Sequence, residues 1–133
     1  MATGFKVEDY MARQLVTVGP HTGVAEAIGL LLKHKISGMP VVDEQGKLVG
    51  VLSERDCLKP LVDAQYFERP TTHVDELMST EVSTVGPETG IMEVAEMFLN
   101  NRYRRFPVVE NGQLVGQISR RDVLRAVREV HRL

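Results

Sequence analysis

The sequence predicts an α/β fold of the α+β kind, in which two pseudo-twofold-related β-α-β-β-α repeats pack sheet to sheet. Three observations predict it. The chain repeats itself at a fixed offset, and each copy carries the same order of apolar periodicities. Neither copy is large enough to close a secure core alone.

The repeat is read directly. Met11, Thr17-Val18-Gly19-Pro20, Thr22-Gly23, Glu26, Leu32 and Pro40-Val41-Val42 recur 67 positions later as Met78, Thr84-Val85-Gly86-Pro87, Thr89-Gly90, Glu93, Leu99 and Pro107-Val108-Val109. The offset then falls to 66, and Gly46, Leu48-Val49-Gly50, Ser53, Arg55-Asp56 and Leu58 match Gly112, Leu114-Val115-Gly116, Ser119, Arg121-Asp122 and Leu124. The single deletion falls where Asp43-Glu44-Gln45-Gly46 is answered by Glu110-Asn111-Gly112, a turn, where length changes are tolerated. Lys59 to Asp75 has no counterpart inside a repeat and joins the copies. Pro60 and Pro70 interrupt it, and Leu61, Val62, Tyr66 and Phe67 give it something to bury. The chain thus divides into an N-terminal segment 1–10, a first repeat 11–63, a linker 64–76 and a second repeat 77–133.

Each element has a local cause. Val16-Thr17-Val18 is a β-branched run ended by Gly19-Pro20, a turn signal. Val24, Ala27, Ile28, Leu31 and Leu32 recur at helical spacing, giving an amphipathic helix to about Lys35. Met39-Pro40-Val41-Val42 and Leu48-Val49-Gly50-Val51-Leu52 flank a short polar turn and form a hairpin. Ser53 opens a second helix. The same order runs from Val82 to about Val130. A helical crossover from the first strand into the hairpin is right-handed. Burying the two sheet faces against each other supplies the core that one copy lacks.

Composition narrows the function. The 133 residues are 43% hydrophobic and 26% charged with a net charge of −2, an ordinary globular balance. It lacks the basic excess of a protein that coats nucleic acid. Cys57 is the one cysteine, which excludes an internal disulfide and a multi-cysteine zinc site and fits a reducing, cytoplasmic compartment. Glu8 and Asp9 interrupt the start, and no apolar run reaches the ~20 residues of a membrane span. His21, His34, His73 and His131 lack metal-ligand spacing. Gly-x-Ser-x-Gly, Walker, His-Glu-x-x-His and dinucleotide glycine motifs do not occur. The expectation is a protein that is not an enzyme and needs no metal or cofactor.

The doubled pattern is apolar-x-Pro-Val-Val, a hairpin with Gly-x-Leu-Val-Gly, then Ser-x-x-Asp. It is carried by Met39 to Val42 with Gly46 to Asp56, and by Phe106 to Val109 with Gly112 to Asp122. It resembles the cystathionine-β-synthase (CBS) domain, and the tandem resembles a stand-alone Bateman module, over roughly Tyr10 to Val130. The resemblance implies two quasi-equivalent nucleotide clefts. In each, the strands of one copy meet the Ser-x-x-Asp of the other. Carried over, one uses Thr17, Val18, Ile36, Ser37, Met39 and Pro40 with Ser119, Arg121 and Asp122. The other uses Thr84, Val85, Tyr103, Arg104, Arg105, Phe106 and Pro107 with Ser53 and Asp56. The implied ligand is AMP, ADP or ATP, with S-adenosylmethionine and NAD admitted by similar ribose and base contacts. The chemistry is apt. A carboxylate accepts both ribose hydroxyls, apolar side chains such as Met39 and Ile36 sandwich a base, and guanidinium forks hold phosphate. Arg102, Arg104 and Arg105 stand where the first copy has Lys35, Ser37 and Gly38, so one cleft is expected to favour more phosphate than the other.

Plainer readings stand beside these. Ser53-Glu54-Arg55-Asp56 and Ser119-Arg120-Arg121-Asp122 read equally as helix capping boxes. The arginines read as a solvated basic face. Cys57 reads as packing rather than redox chemistry, and Met92 and Met97 read as core. At the level of function, the leading expectation is a regulatory adenine-nucleotide sensor acting through conformational or oligomeric change. A homodimer follows from the resemblance, and an unidentified effector protein would receive the output. The alternative is a ligand-independent dimerisation or adaptor module. Single-stranded nucleic-acid binding through Arg102–Arg105 is a third reading, disfavoured by an aromatic content of 5%, which leaves few stacking platforms.

Overall fold

The computed structural model describes residues 5–62 and 72–131. The linker residues Tyr66, Phe67 and Pro70 lie outside them. The chain forms two compact units, Val16–Val82 and Met1–Leu15 with Ser83–Leu133.

In the first unit, α1 (Val24–His34) leads into a hairpin of β1 (Gly38–Val42) and β2 (Leu48–Ser53), followed by α2 (Glu54–Val62). α1 buries Ala27 and Leu31 and leaves Glu26, Lys33 and His34 in water, as its apolar spacing predicts. It stops at Lys35, which takes the left-handed conformation (φ 54°) and donates its N–H back to Leu31 and Leu32, a C-terminal cap. β1 and β2 are antiparallel, from Gly38 opposite Ser53 to Val42 opposite Leu48, with a register shift between Val41 and Val42. The Val16–Val18 run is shorter than a full strand. It pairs in parallel with β1 at Val18 and Val41, the Val18 N–H reaching the Pro40 carbonyl at 3.2 Å and the Val42 N–H reaching Val18 at 2.9 Å. Gly19-Pro20 ends it, with the Gly19 N–H bound to Thr22 Oγ1 at 3.1 Å. α2 runs through Pro60 to Val62, so the proline costs the helix an N–H without ending it.

The second unit repeats the plan with α3 (Ile91–Asn100), β3 (Arg105–Glu110), β4 (Gln113–Ser119) and α4 (Arg120–His131). Val85 pairs in parallel with Val108. The deletion noted in the sequence is a change of turn. Asn111 (φ 54°) and Gly112 (φ 81°) make a two-residue connection between Glu110 and Gln113, the left-handed pair a tight hairpin requires. The longer first turn instead closes on Asp43, whose Oδ1 accepts from the Gln45 and Lys47 N–H groups at 2.9 Å each.

Each unit is completed by a segment that precedes the other repeat in sequence. A strap with a short 3₁₀ turn at Val7–Asp9 lies on the second repeat: Val7 N–H bonds Thr89 at 2.9 Å, and Ala12 and Gln117 exchange bonds of 2.8 and 3.0 Å. The matching turn at Val74–Glu76 lies on the first repeat, through Val74 N–H to Thr22 (2.9 Å) and a reciprocal Val51–Ser79 pair at 2.9 Å. Val7 and Val74 are fully buried in the respective cores. One core gathers Val18, Ala27, Leu31, Met39, Val41 and Leu52 around Val74 and Leu77. The other gathers Val85, Ile91, Val94, Phe98, Phe106, Val108 and Ile118 around Val7 and Met11. The straps lie close: a Cβ added at Gly50 would sit 2.8 Å from Met78 sulfur, and one at Gly116 2.9 Å from the Ala12 oxygen. Met97 packs against the second core, but Met92 is 67% exposed, a correction to its reading as core. It falls outside α3's buried stripe of Ile91, Val94 and Phe98.

Candidate functional site

Both Ser-x-x-Asp motifs sit where a strand hands over to a helix, and both form complete capping boxes. The Ser53 N–H donates to Asp56 Oδ2 at 2.9 Å and the Asp56 N–H to Ser53 Oγ at 3.1 Å. Ser119 and Asp122 repeat the pair at 2.9 and 3.1 Å. The plain structural role foreseen for these residues is therefore present. It leaves room for a second one. Each carboxylate commits Oδ2 to the cap and Oδ1 to a cation on the next turn, Lys59 at 3.4 Å and Arg125 at 3.1 Å. A carboxylate offers about four lone-pair positions, so each retains the capacity to accept a vicinal diol. Both aspartates are largely buried, at 13% and 16% side-chain exposure.

The backbone brings the head of each hairpin to its own Ser-x-x-Asp. Gly38 is opposite Ser53, and the Glu54 N–H reaches the Ser37 carbonyl at 2.8 Å. Arg105 is opposite Ser119, and the Arg120 N–H reaches the Arg104 carbonyl at 3.1 Å. Of the two residue sets implied by the sequence, Thr17, Val18, Ile36, Ser37, Met39 and Pro40 thus share a unit with Ser53 and Asp56. Thr84, Val85, Tyr103, Arg104, Arg105, Phe106 and Pro107 share one with Ser119, Arg121 and Asp122.

Exposure separates these residues further. Met39, Pro40, Phe106, Pro107, Val18 and Val85 are buried, and Met39 and Phe106 belong to the cores. The apolar surface at the strand heads is Ile36, half-buried, and Tyr103, 47% exposed. Thr17 and Ser37 are half-buried, and Thr84, Arg104 and Arg121 are exposed.

The heads differ in charge. Arg120 Nε bonds the Tyr103 carbonyl at 3.2 Å, so Arg104, Arg105, Arg120 and Arg121 gather where the first unit has Ser37, Gly38, Glu54 and Arg55. Arg120 and Arg121 occupy the first turn of α4, where the helix dipole disfavours cations by roughly 0.3–1 kcal/mol each. An anion seated there offsets that cost. Cys57, half-buried beside Asp56, has its thiol pKa pushed up by burial and then by the Asp56 and Glu54 carboxylates, which keeps it protonated and unreactive.

Two features escaped the sequence reading. A cavity of about 520 Å³ in the first unit is lined by Thr17, Val18, Thr22, Glu26, Asp43 and Glu44 among others. It lies at the hairpin-turn end of β1, the end away from Gly38 and Ser53. The exchange of the two preceding segments was also missed, although Val7-Glu8-Asp9 and Val74-Asp75-Glu76 carry a signal at the same 67-residue offset.

Comparison with known proteins places this doubled arrangement. The CBS domain matches twice, over residues 7–63 and 74–129. The chain belongs to the CBS domain family. CBSX2 of Arabidopsis thaliana, solved in complex with AMP, is similar at 34% identity over 96% of this chain and 99% of its own, with a TM-score of 0.84. The CBS domain pair of protein MJ0100, solved with 5-methylthioadenosine and S-adenosyl-L-methionine, is similar at 27% identity, covering 94% and 97% of the two chains, with a TM-score of 0.76. The CBS domain-containing protein YhcV of Bacillus subtilis is 33% identical over 88% of this chain and 81% of its own length. The chain also matches inosine-5'-monophosphate dehydrogenase of Methanocaldococcus jannaschii, of whose length it spans 23%. Among the described residues no helix is long and apolar enough to cross a membrane.

Proposed function

We propose that this CBS pair is a regulatory, non-catalytic sensor of an adenine nucleotide, AMP, ADP or ATP, whose ribose hydroxyls are accepted by Asp56 and Asp122. The observation that carries the reading is the twin Ser-x-x-Asp. Each places a shielded carboxylate with spare acceptor capacity at the head of a hairpin. The AMP complex of CBSX2, similar over nearly its whole length, supports the ligand class. Ile36 and Tyr103 supply apolar contact for a base. Arg104, Arg105 and Arg121 supply forks for phosphate, so the arginine-rich head favours the more highly charged nucleotide. S-adenosylmethionine, as seen with MJ0100, is the competing ligand of the same class.

Output passes through self-association. Leu32 (72% exposed) and Leu58 (56%) on the first repeat have equivalents in Leu99 (86%) and Leu124 (67%) on the second. Apolar side chains left in water at matching positions of two copies fit the surface of a homodimer. Ligand binding selects one arrangement through differential contacts. The second reading is a ligand-independent adaptor, favoured by the fact that both aspartates already serve as helix caps.

Calorimetry with AMP, ADP, ATP and S-adenosylmethionine separates the two. On the sensor reading, at least one ligand binds, and Asp56→Asn with Asp122→Asn weakens it tenfold or more, because an amide replaces one acceptor oxygen with a donor. No binding at millimolar ligand, with a stable dimer by native mass spectrometry, establishes the adaptor instead.

A further inference from the structure

Arg125 does two things at once. One arm, Nη1, donates to Asp122 Oδ1 at 3.1 Å, and the other, Nη2, donates to the Tyr10 backbone carbonyl at 3.0 Å. Its guanidinium carbon lies 5.9 Å from the centre of the Tyr10 ring. The Tyr10 hydroxyl in turn donates to Glu129 Oε2 at 2.6 Å, so the strap is bound to α4 at two points one turn apart. The equivalent position in the first repeat is Lys59, which among the described residues pairs with Asp56, at 3.4 Å, and Leu77 stands where Tyr10 does. A planar guanidinium serves two acceptors in fixed directions, whereas an ammonium acts as a point charge.

Resting on the reading that Asp122 accepts a ligand's hydroxyls, we propose that Arg125 is a positioning residue that couples Asp122 to the strap Phe5–Ala12, making the strap the element through which the second repeat reports its ligand. A diol bound to Asp122 fixes the carboxylate against Arg125, and the same fork then holds Tyr10 more firmly. By linkage, a seated strap raises ligand affinity by the same factor. Among the described residues, the lysine of the first repeat makes no such connection to its strap.

Hydrogen exchange of the full chain with and without saturating AMP tests the coupling, using the Ala12 and Gln117 amides that join strap and β4. The expected result is at least threefold slower exchange with AMP in the wild type. In Arg125→Lys the slowing is lost while AMP still binds, more weakly by a factor of the same size as the lost slowing. A strap that merely needs Arg125 for packing exchanges faster in the variant but keeps its response to AMP, and that result overturns the proposal. So does AMP binding to the wild type with no change in the strap, a result that needs no variant to fold. Where AMP is silent, the same exchange experiment is run with whichever of ADP, ATP or S-adenosylmethionine gives heat. If none of the four does, the nucleotide reading and the coupling fall together, which separates that failure from the loss of coupling alone.

Discussion

The two units share a plan and differ at the points where a copy needs to be anything more than a scaffold. At the hairpin head the first has Ser37 and Glu54 where the second has Arg104 and Arg120, although the backbone bond between them is the same, 2.8 against 3.1 Å. In the core and at the strand heads beside it, Leu31, Ile36 and Met39 are replaced by Phe98, Tyr103 and Phe106. Phe98 and Phe106 stack at 4.5 Å between centroids, and Tyr103 meets Phe106 edge-on at 5.9 Å. Beside the capping aspartate, lysine is replaced by arginine. The bond from hairpin head to helix and the Ser-x-x-Asp cap are thus held constant while charge and side-chain shape diverge. A duplicated scaffold has come to offer two chemically distinct faces.

The largest effect is expected in the aromatic cluster. Phe106→Ala empties a fully buried site and is expected to cost about 3–5 kcal/mol, against about 2–5 kcal/mol for Met39→Ala. Urea unfolding of both variants measures the difference. If the second unit's stability depends on its aromatic stack, Phe106→Ala falls at the top of its range. Equal costs would show that the stack adds nothing beyond buried area.

The straps provide a test that should not distinguish the copies. Gly50→Ala and Gly116→Ala each push a methyl into the carbonyl of the strap above, at 2.8 Å from Ser79 and 2.9 Å from Ala12. Overpacking of this kind costs about 1–3 kcal/mol. The expected signature is a similar loss of stability in both, with faster amide exchange confined to Ser79 and Val51 in one variant and to Ala12 and Gln117 in the other.

What the sequence disclosed and what it withheld follows the range of the interactions. The hairpins, both capping boxes and the place of the deletion were legible because each depends on residues three to five apart. Asn111-Gly112 announces its turn by chemistry alone. The strap contacts were not legible: Tyr10 and Glu129 are 119 positions apart, and no local periodicity encodes such a pairing. The repeat offset did reach back to Val7 and Val74, but a three-residue 3₁₀ turn has too little pattern to stand out. The candidate site was legible as residue types. The burial of Met39 and Phe106 was not, because an apolar residue at a strand head reads the same whether it faces a ligand or a core. Pro60 misled by the opposite route, since a helix held by its cap and its packing can tolerate one missing donor.

A smaller effect sharpens the role of the caps. Ser53→Ala and Ser119→Ala each remove the hydroxyl that accepts the aspartate N–H at 3.1 Å. Each is expected to cost about 1 kcal/mol. If Asp122 is also held by Arg125 through its better fork, Ser119→Ala costs less than Ser53→Ala, because the aspartate keeps its place when one tie is cut. Thermal unfolding of the two variants side by side measures this, and the reverse order would show that the arginine tie does not brace the cap.

The smallest effect concerns Cys57, whose counterpart in the second repeat is Val123, a buried core residue at 6% exposure. Burial, Asp56 and Glu54 all raise the thiol pKa in the folded state. An acid whose folded pKa lies above its unfolded one favours folding while protonated. That contribution is complete below the unfolded value of about 8.5 and is lost as pH rises through the folded pKa. The wild type therefore loses a little stability above about pH 8.5 that Cys57→Val does not lose. At neutral pH the variant makes the first repeat resemble the second, and it changes stability by less than about 1.5 kcal/mol, as a near volume-conserving apolar exchange does. Chemical denaturation at pH 7 and at alkaline pH measures both terms. A pH-dependent difference of the opposite sign would mean that the thiolate, not the thiol, is the form this helix stabilises, and Cys57 would then have to be counted as reactive.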